Sequence, residues 1–143
     1  MKRVLIVIVV IIVLSVGYYG ISPLFKNITV ADSMPEEVVA ETEKRGIIGT
    51  KGHPASGTVK VIEASGETII RYENFETING PNLHVYLAKD LDAKEFVDLG
   101  SIRGTRGEIN YTVPDGIDLN EYKYVMYWCV PFGVLFNYAD ISS

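Results

Sequence analysis

The chain has one cysteine and two histidines, and that scarcity excludes much of the chemistry a small protein can carry. With no C-x-x-C, no C-x-x-C-H and no second thiolate, a single chain cannot build an iron–sulfur cluster, attach a c-type haem or run thioredoxin-like exchange. It cannot form an internal disulfide framework either, so packing must hold the fold together. No G-x-S-x-G elbow or H-E-x-x-H helix is present. Gly104 and Gly107 in "RGTRGE" precede a strand pattern, which fits a hairpin turn rather than a phosphate cradle. A carrier or binding domain is therefore expected in preference to an enzyme. Clustered positive charge is missing as well. From Ile47 onward thirteen Asp or Glu face eight scattered Lys or Arg, which argues against nucleic acid as a partner.

One long apolar run stands out. "VLIVIVVIIVLSV" begins at Val4, and the uncharged stretch extends to Phe25, 22 residues in all, enough for a spanning helix. Lys2 and Arg3 precede it, so the positive-inside tendency keeps the N-terminus cytoplasmic and carries the remainder across the membrane. A cleaved signal peptide is the competing reading, but no small-x-small site follows the apolar core. The expected organisation is a transmembrane signal anchor over 1–25, an acidic stalk over 26–46 and a β-domain over 47–143. Pro35 followed by "EEVVAETEKR" allows a short helix within the stalk.

From Gly46 the pattern becomes short apolar runs closed by Gly, Pro, Asn or Asp. "GTVKVIEA" alternates with period two, "SGE" turns the chain into "TIIRYENF", and "LHVYLAK", "LGSIRG", "GEINYTV", "YVMYWCV" and "GVLFNYADI" follow. Seven to nine short strands predict an all-β domain, an antiparallel β-sandwich or barrel. The stretch 124–130 is apolar on both alternating faces, as in a central strand covered on both sides.

Cys129 lies in that strand. A strand covered on both faces hides a thiol and leaves it inert, whereas a redox or ligand role needs a partner for it. His53 and His84 are the available histidines. A copper site from His53, His84, Cys129 and Met126 is disfavoured, because no His or Met follows the cysteine and Met126 and Cys129 point to opposite faces of a strand. "DLDAKEFVD" (90–98) and "DGIDLNE" (115–121) lack the ligand series of an EF-hand and read as solvated turns. Asn27 and Asn110 each open an N-x-[ST] sequon.

Four blocks in order, "GTKGHPASGTV" (49–59), "NFETINGPNLHVYL" (74–87), "LGSIRGTRGEINYTVP" (99–114) and "YVMYWCVPFGVLFNYADI" (124–141), resemble the DM-thirteen domain. That is a small extracytoplasmic β-domain found alone or beside DOMON domains. The likeness spans Ile48 to Ile141 and leaves the anchor and stalk outside. It implies a β-sandwich-like fold and an electron-transfer role resting on the cysteine of the Trp128–Cys129 pair, with His53 at the histidine of the first block. Cys129, His53 and Trp128 become the candidate cofactor-binding residues, and His84 joins them only if a metal is bound. Haem or a metal through Cys129 is compatible with the resemblance, although no spacing specifies either. Asn137 departs from the pattern, standing where a small residue is usual. The expected partners are the membrane and a redox protein. The alternative is a surface binding or adhesion module in which Cys129 is structural and the loops meet a ligand.

Overall fold

The computed structural model describes residues 2–22, 26–41 and 45–142. A single helix, α1 (Lys2–Ile21), covers the apolar run and is long and apolar enough to cross a membrane. None of its side chains is buried. The end of the expected span, 23–25, lies outside the described residues, as do 42–44 of the expected stalk.

Beyond α1 the described chain is built from strands: β1 (Thr29–Ala31), β2 (Val38–Glu41), β3 (Arg45–Gly49), β4 (Ala55–Ala64), β5 (Glu67–Thr77), β6 (Leu83–Ala88), β7 (Phe96–Ser101), β8 (Arg106–Val113), β9 (Tyr124–Cys129) and β10 (Val134–Asp140). They form one sheet in the order β1-β8-β5-β4-β3-β10-β9-β6-β7, with β2 added to β4. β1 runs parallel to β8, and the remaining pairs are antiparallel. β3 is the corner. Its first residues pair with β4 (Arg45 with Val59, Gly46 with Thr58), and from Ile47 it pairs with β10.

Turning at β3 curls the sheet into a half-barrel, the barrel-like all-β form expected from the period-two pattern. Its inner faces meet through aromatic rings. Tyr127 of β9 packs on Tyr72 at 5.5 Å and on Phe75 at 5.1 Å between ring centroids. Its hydroxyl lies 3.3 Å from that of Tyr111 and donates to the Gly104 carbonyl at 3.0 Å. β9 lies between β6 and β10. Val125, Tyr127 and Cys129 face the inner core, while Met126 packs outside with Tyr86, Tyr124 and Trp128. A strand covered on both faces accounts for the uninterrupted apolar sequence.

The segment expected to be a stalk is partly sheet. β1 and β2 fall within it, and residues 38–41, where the sequence allowed a short helix, are extended and paired with β4. Tertiary contacts override the local helix signal. Asp32 is held by the Arg103 guanidinium and accepts from the Asn110 amide at 2.8 Å, and its own amide donates to the Glu108 carbonyl at 2.9 Å. Gly107 admits β1: with φ of 105°, it leaves room where a Cβ would stand 2.0 Å from the Val30 carbonyl oxygen.

Residues 32–41 also help cover a buried ionic network on the outer face of β4 and β5. Lys60 and Arg71 oppose each other across these strands and are both buried. Glu73 bridges them, 3.2 Å from the Lys60 ammonium and 3.2 Å from Arg71 Nε. Glu41 of β2 adds a 2.7 Å contact to Lys60, and Arg71 donates to the Ser33 carbonyl at 3.1 Å.

Candidate functional site

Strand direction sorts the connections into two ends. Residues 50–54, 78–82, 102–105 and 130–133 meet at one end, where β4 starts opposite the end of β5 and β6 starts opposite the end of β9. All four of the sequence blocks singled out above converge here.

Cys129, the last residue of β9, is fully buried. Its thiol donates to the Pro81 carbonyl at 3.3 Å, and the Phe132 amide in the following turn approaches the sulfur. Burial pushes the thiol's pKa up, and that amide offsets only part of the rise. At neutral pH the group is therefore a protonated thiol, a weak nucleophile shielded from solvent. The Val130 amide donates to the Asn82 carbonyl at 3.2 Å, so the 78–82 loop and the β9–β10 turn are tied together on both sides of the cysteine.

Phe136 connects this corner to His53. The pairing of β10 with β9 shifts between Leu135 and Asn137, leaving Phe136 as an extra residue in a bulge. Strict alternation would separate Phe136 from Asn137, but both are buried, Phe136 within the inner core and Asn137 donating to Thr77 Oγ1 at 3.2 Å. His53 stacks on Phe136 with ring centroids 3.9 Å apart. On its other flank Phe136 presses against Gly80, where a Cβ would stand 2.6 Å from Cζ, so this position in "NGPN" must lack a side chain. Thr50 Oγ1 donates to the Phe136 carbonyl at 2.9 Å and lies 3.2 Å from His53 Nδ1. Its one proton is committed to the carbonyl, which assigns Nδ1 as the donor to Thr50. Burial lowers the His53 pKa, consistent with a neutral imidazole.

Cys129 and His53 thus share an end of the half-barrel, bridged by Phe136, Gly80 and Pro81. Their hydrogen bonds go to different partners. His84 sits on the other side of the sheet. It pairs across strands with Trp128, and its Nδ1 lies 2.8 Å from Asp98 Oδ2 while Nε2 lies 3.3 Å from Ser101 Oγ. Trp128 is half-buried on that outer face, stacked toward Tyr86 at 6.1 Å. The Trp–Cys pair therefore presents its two side chains to opposite faces. Met126 shares the outer cluster and is divided from Cys129 by the strand itself.

Among the described residues no three of His, Cys, Asp and Glu lie close enough to hold one metal ion. Cys129, His53 and His84 do not form a common ligand set in this arrangement. The Asn110 side chain is engaged, accepting from Arg71 at 2.8 Å and donating to the Ser33 carbonyl at 3.0 Å, whereas Asn27 is exposed. Sequence reasoning missed Pro81, Phe136 and Thr50. The "NGPN" block marked the first only as a motif, and a bulge leaves no alternation signal to reveal the second.

A family model described as Electron transfer DM13 matches residues 48–141. The chain belongs to that family. No curated protein and no solved structure matches it.

Proposed function

We propose that this member of the Electron transfer DM13 family is a single-pass membrane-anchored redox module, with its N-terminus cytoplasmic and its β-domain extracytoplasmic, that works at the end of the half-barrel carrying Cys129. The observation that carries the reading is the convergence at the thiol: Cys129, Pro81, Phe136 and His53 come from three separate sequence blocks and pack around one corner. Family membership supports the electron-transfer role. The length and composition of α1, with Lys2 and Arg3 before its apolar run, support the anchor and its orientation. Cys129 is the redox candidate, His53 the helper nearest to it along the chain of contacts, and Trp128 its neighbour on the opposite face. The reading rests on the thiol and the end around it rather than on a named cofactor, because the side chains present make no ready ligand set.

The full chain, purified in detergent from a haem- and metal-replete host beside Cys129→Ala, gives the test. A visible absorption band or stoichiometric metal that the variant lacks is the expected result. Two colourless, metal-free, equally folded proteins would overturn the redox assignment of Cys129. A second reading would then stand, favoured by the complete burial of the cysteine: a surface binding or adhesion module in which the cysteine is core and the loops meet the partner.

A further inference from the structure

The two ends of the half-barrel differ in charge. The connections at the Cys129 end, residues 50–54, 78–82, 102–105 and 130–133, contain no aspartate or glutamate. Those at the opposite end carry Asp90, Asp92, Glu95, Asp115, Asp118 and Glu121 against Lys89, Lys94 and Lys123, which leaves that end net acidic. Lys26 and Lys51 are exposed at the Cys129 end. Exposed apolar side chains gather there as well: Phe132 is 63% exposed, and Val130, Val134 and Ile28 are exposed around the same end. The tip of the β9–β10 hairpin, Val130-Pro131-Phe132-Gly133, holds no charge, and its Gly133 amide closes on the Val130 carbonyl at 3.4 Å.

The chain also enters the domain at this end. Asn79 donates to the Lys26 carbonyl at 3.1 Å, and Ile28 exchanges hydrogen bonds with Thr105, its amide reaching Oγ1 at 3.0 Å and its carbonyl accepting from the Thr105 amide at 2.7 Å. α1 ends at Ile21. Four residues, 22–25, lie between it and Lys26, so five Cα-to-Cα steps give a reach of at most about 18 Å. β1 then runs away from this end, parallel to β8.

We infer that the β9–β10 hairpin tip docks on the bilayer surface, with Phe132 and Val130 in the headgroup–acyl boundary and Lys26 and Lys51 toward lipid phosphates. The inference rests on the anchored reading above. The short tether holds this end against the membrane, and apolar side chains at an interface gain by leaving water while flanking lysines reach the lipid phosphates. The acidic end faces outward, away from a negatively charged surface. The Cys129 corner consequently lies beside the lipid, so a redox partner of this end must itself be membrane-embedded or lipid-soluble.

The test uses the full chain in vesicles of phosphatidylcholine and phosphatidylglycerol, with or without bromine on the upper acyl chain. Three proteins are compared: the native chain, whose only tryptophan is Trp128, Phe132→Trp at the tip and Asp115→Trp at the far end. Docking predicts that brominated lipid quenches the added Phe132→Trp emission at least twofold and leaves the Asp115→Trp increment unchanged. Protein that floats with the vesicles but shows equal quenching for both variants would overturn docking and leave the anchor intact. Protein that fails to float would overturn the anchored reading and the inference with it.

Discussion

Cys129 and Pro81, 48 residues apart in the chain, are joined by a 3.3 Å hydrogen bond from thiol to carbonyl. The contact pins the end of a central strand to the loop before β6 and places the protein's one cysteine where solvent does not reach it. Its reactivity is set by how often that corner opens.

In the folded full-length protein, Cys129 should react with an aromatic disulfide reagent about a hundredfold more slowly than in denaturant, since burial disfavours the thiolate and blocks access. The reaction should also turn on at a higher pH than for a free thiol. Stopped-flow absorbance checks this. A native rate close to the unfolded one would mean that the Val130–Gly133 turn opens freely.

Gly80→Ala should destabilise the domain by roughly 1–3 kcal/mol, because the new methyl overlaps the Phe136 ring in a filled core. The same shift should disturb the His53 stack. Chemical denaturation gives the first effect, and the imidazole proton resonances of His53 give the second. Unchanged stability and resonances would show that Phe136 moves aside without cost.

Removing one member of the buried network should cost more than any surface charge. Glu73→Ala removes the carboxylate shared by Lys60 and Arg71, leaving Glu41 on the first and Glu108 on the second, and should lose about 1.5–3 kcal/mol. Lys94→Ala removes a fully exposed ion pair and should leave the midpoint almost unchanged. Urea midpoints compared at neutral pH separate the two, and equal losses would contradict the burial argument.

The Asp32 carboxyl should contribute an acid limb to stability. Burial raises its pKa, but the Arg103 and Asn110 hydrogen bonds outweigh that and hold it below 3.8. The folded state therefore binds its proton later than the unfolded state does. Its contribution is present above pH 3.8 and disappears as pH falls through the lowered folded value. Asp32→Asn should be less stable at neutral pH and show a flatter stability profile below pH 4. Thermal unfolding from pH 2 to 7 reads this directly. His53, held neutral by burial, should give a titration midpoint below 6.5 by NMR.

Much of the fold was legible because burial repeats at a fixed period. Val59, Val61, Ile70 and Tyr72 sit on the inner face as alternation requires, and residues 124–129 read correctly as a central strand. The apolar run became α1 for an equally local reason, since an uninterrupted apolar stretch satisfies its backbone only within itself. The segment 26–41 misled because its strands are edge additions with little apolar pattern, fixed by the pairing of Asp32 with Arg103 and of Glu41 with Lys60, partners distant in sequence.

By itself the sequence determined an apolar N-terminal helix, an acidic domain of short strands, the face on which Cys129 lies and membership of an electron-transfer family. Local periodicity and composition carry the helix and the strands, while the four ordered blocks carry the family. Tertiary structure alone decided that Phe136 occupies a bulge, that His53 stacks on it, that His84 is on the far side of the sheet and that the loops gathered at the Cys129 end hold no carboxylate and receive the chain from α1. Those relations depend on register and on the turn of the sheet at β3, where residues far apart in sequence meet, and no local pattern encodes such a meeting.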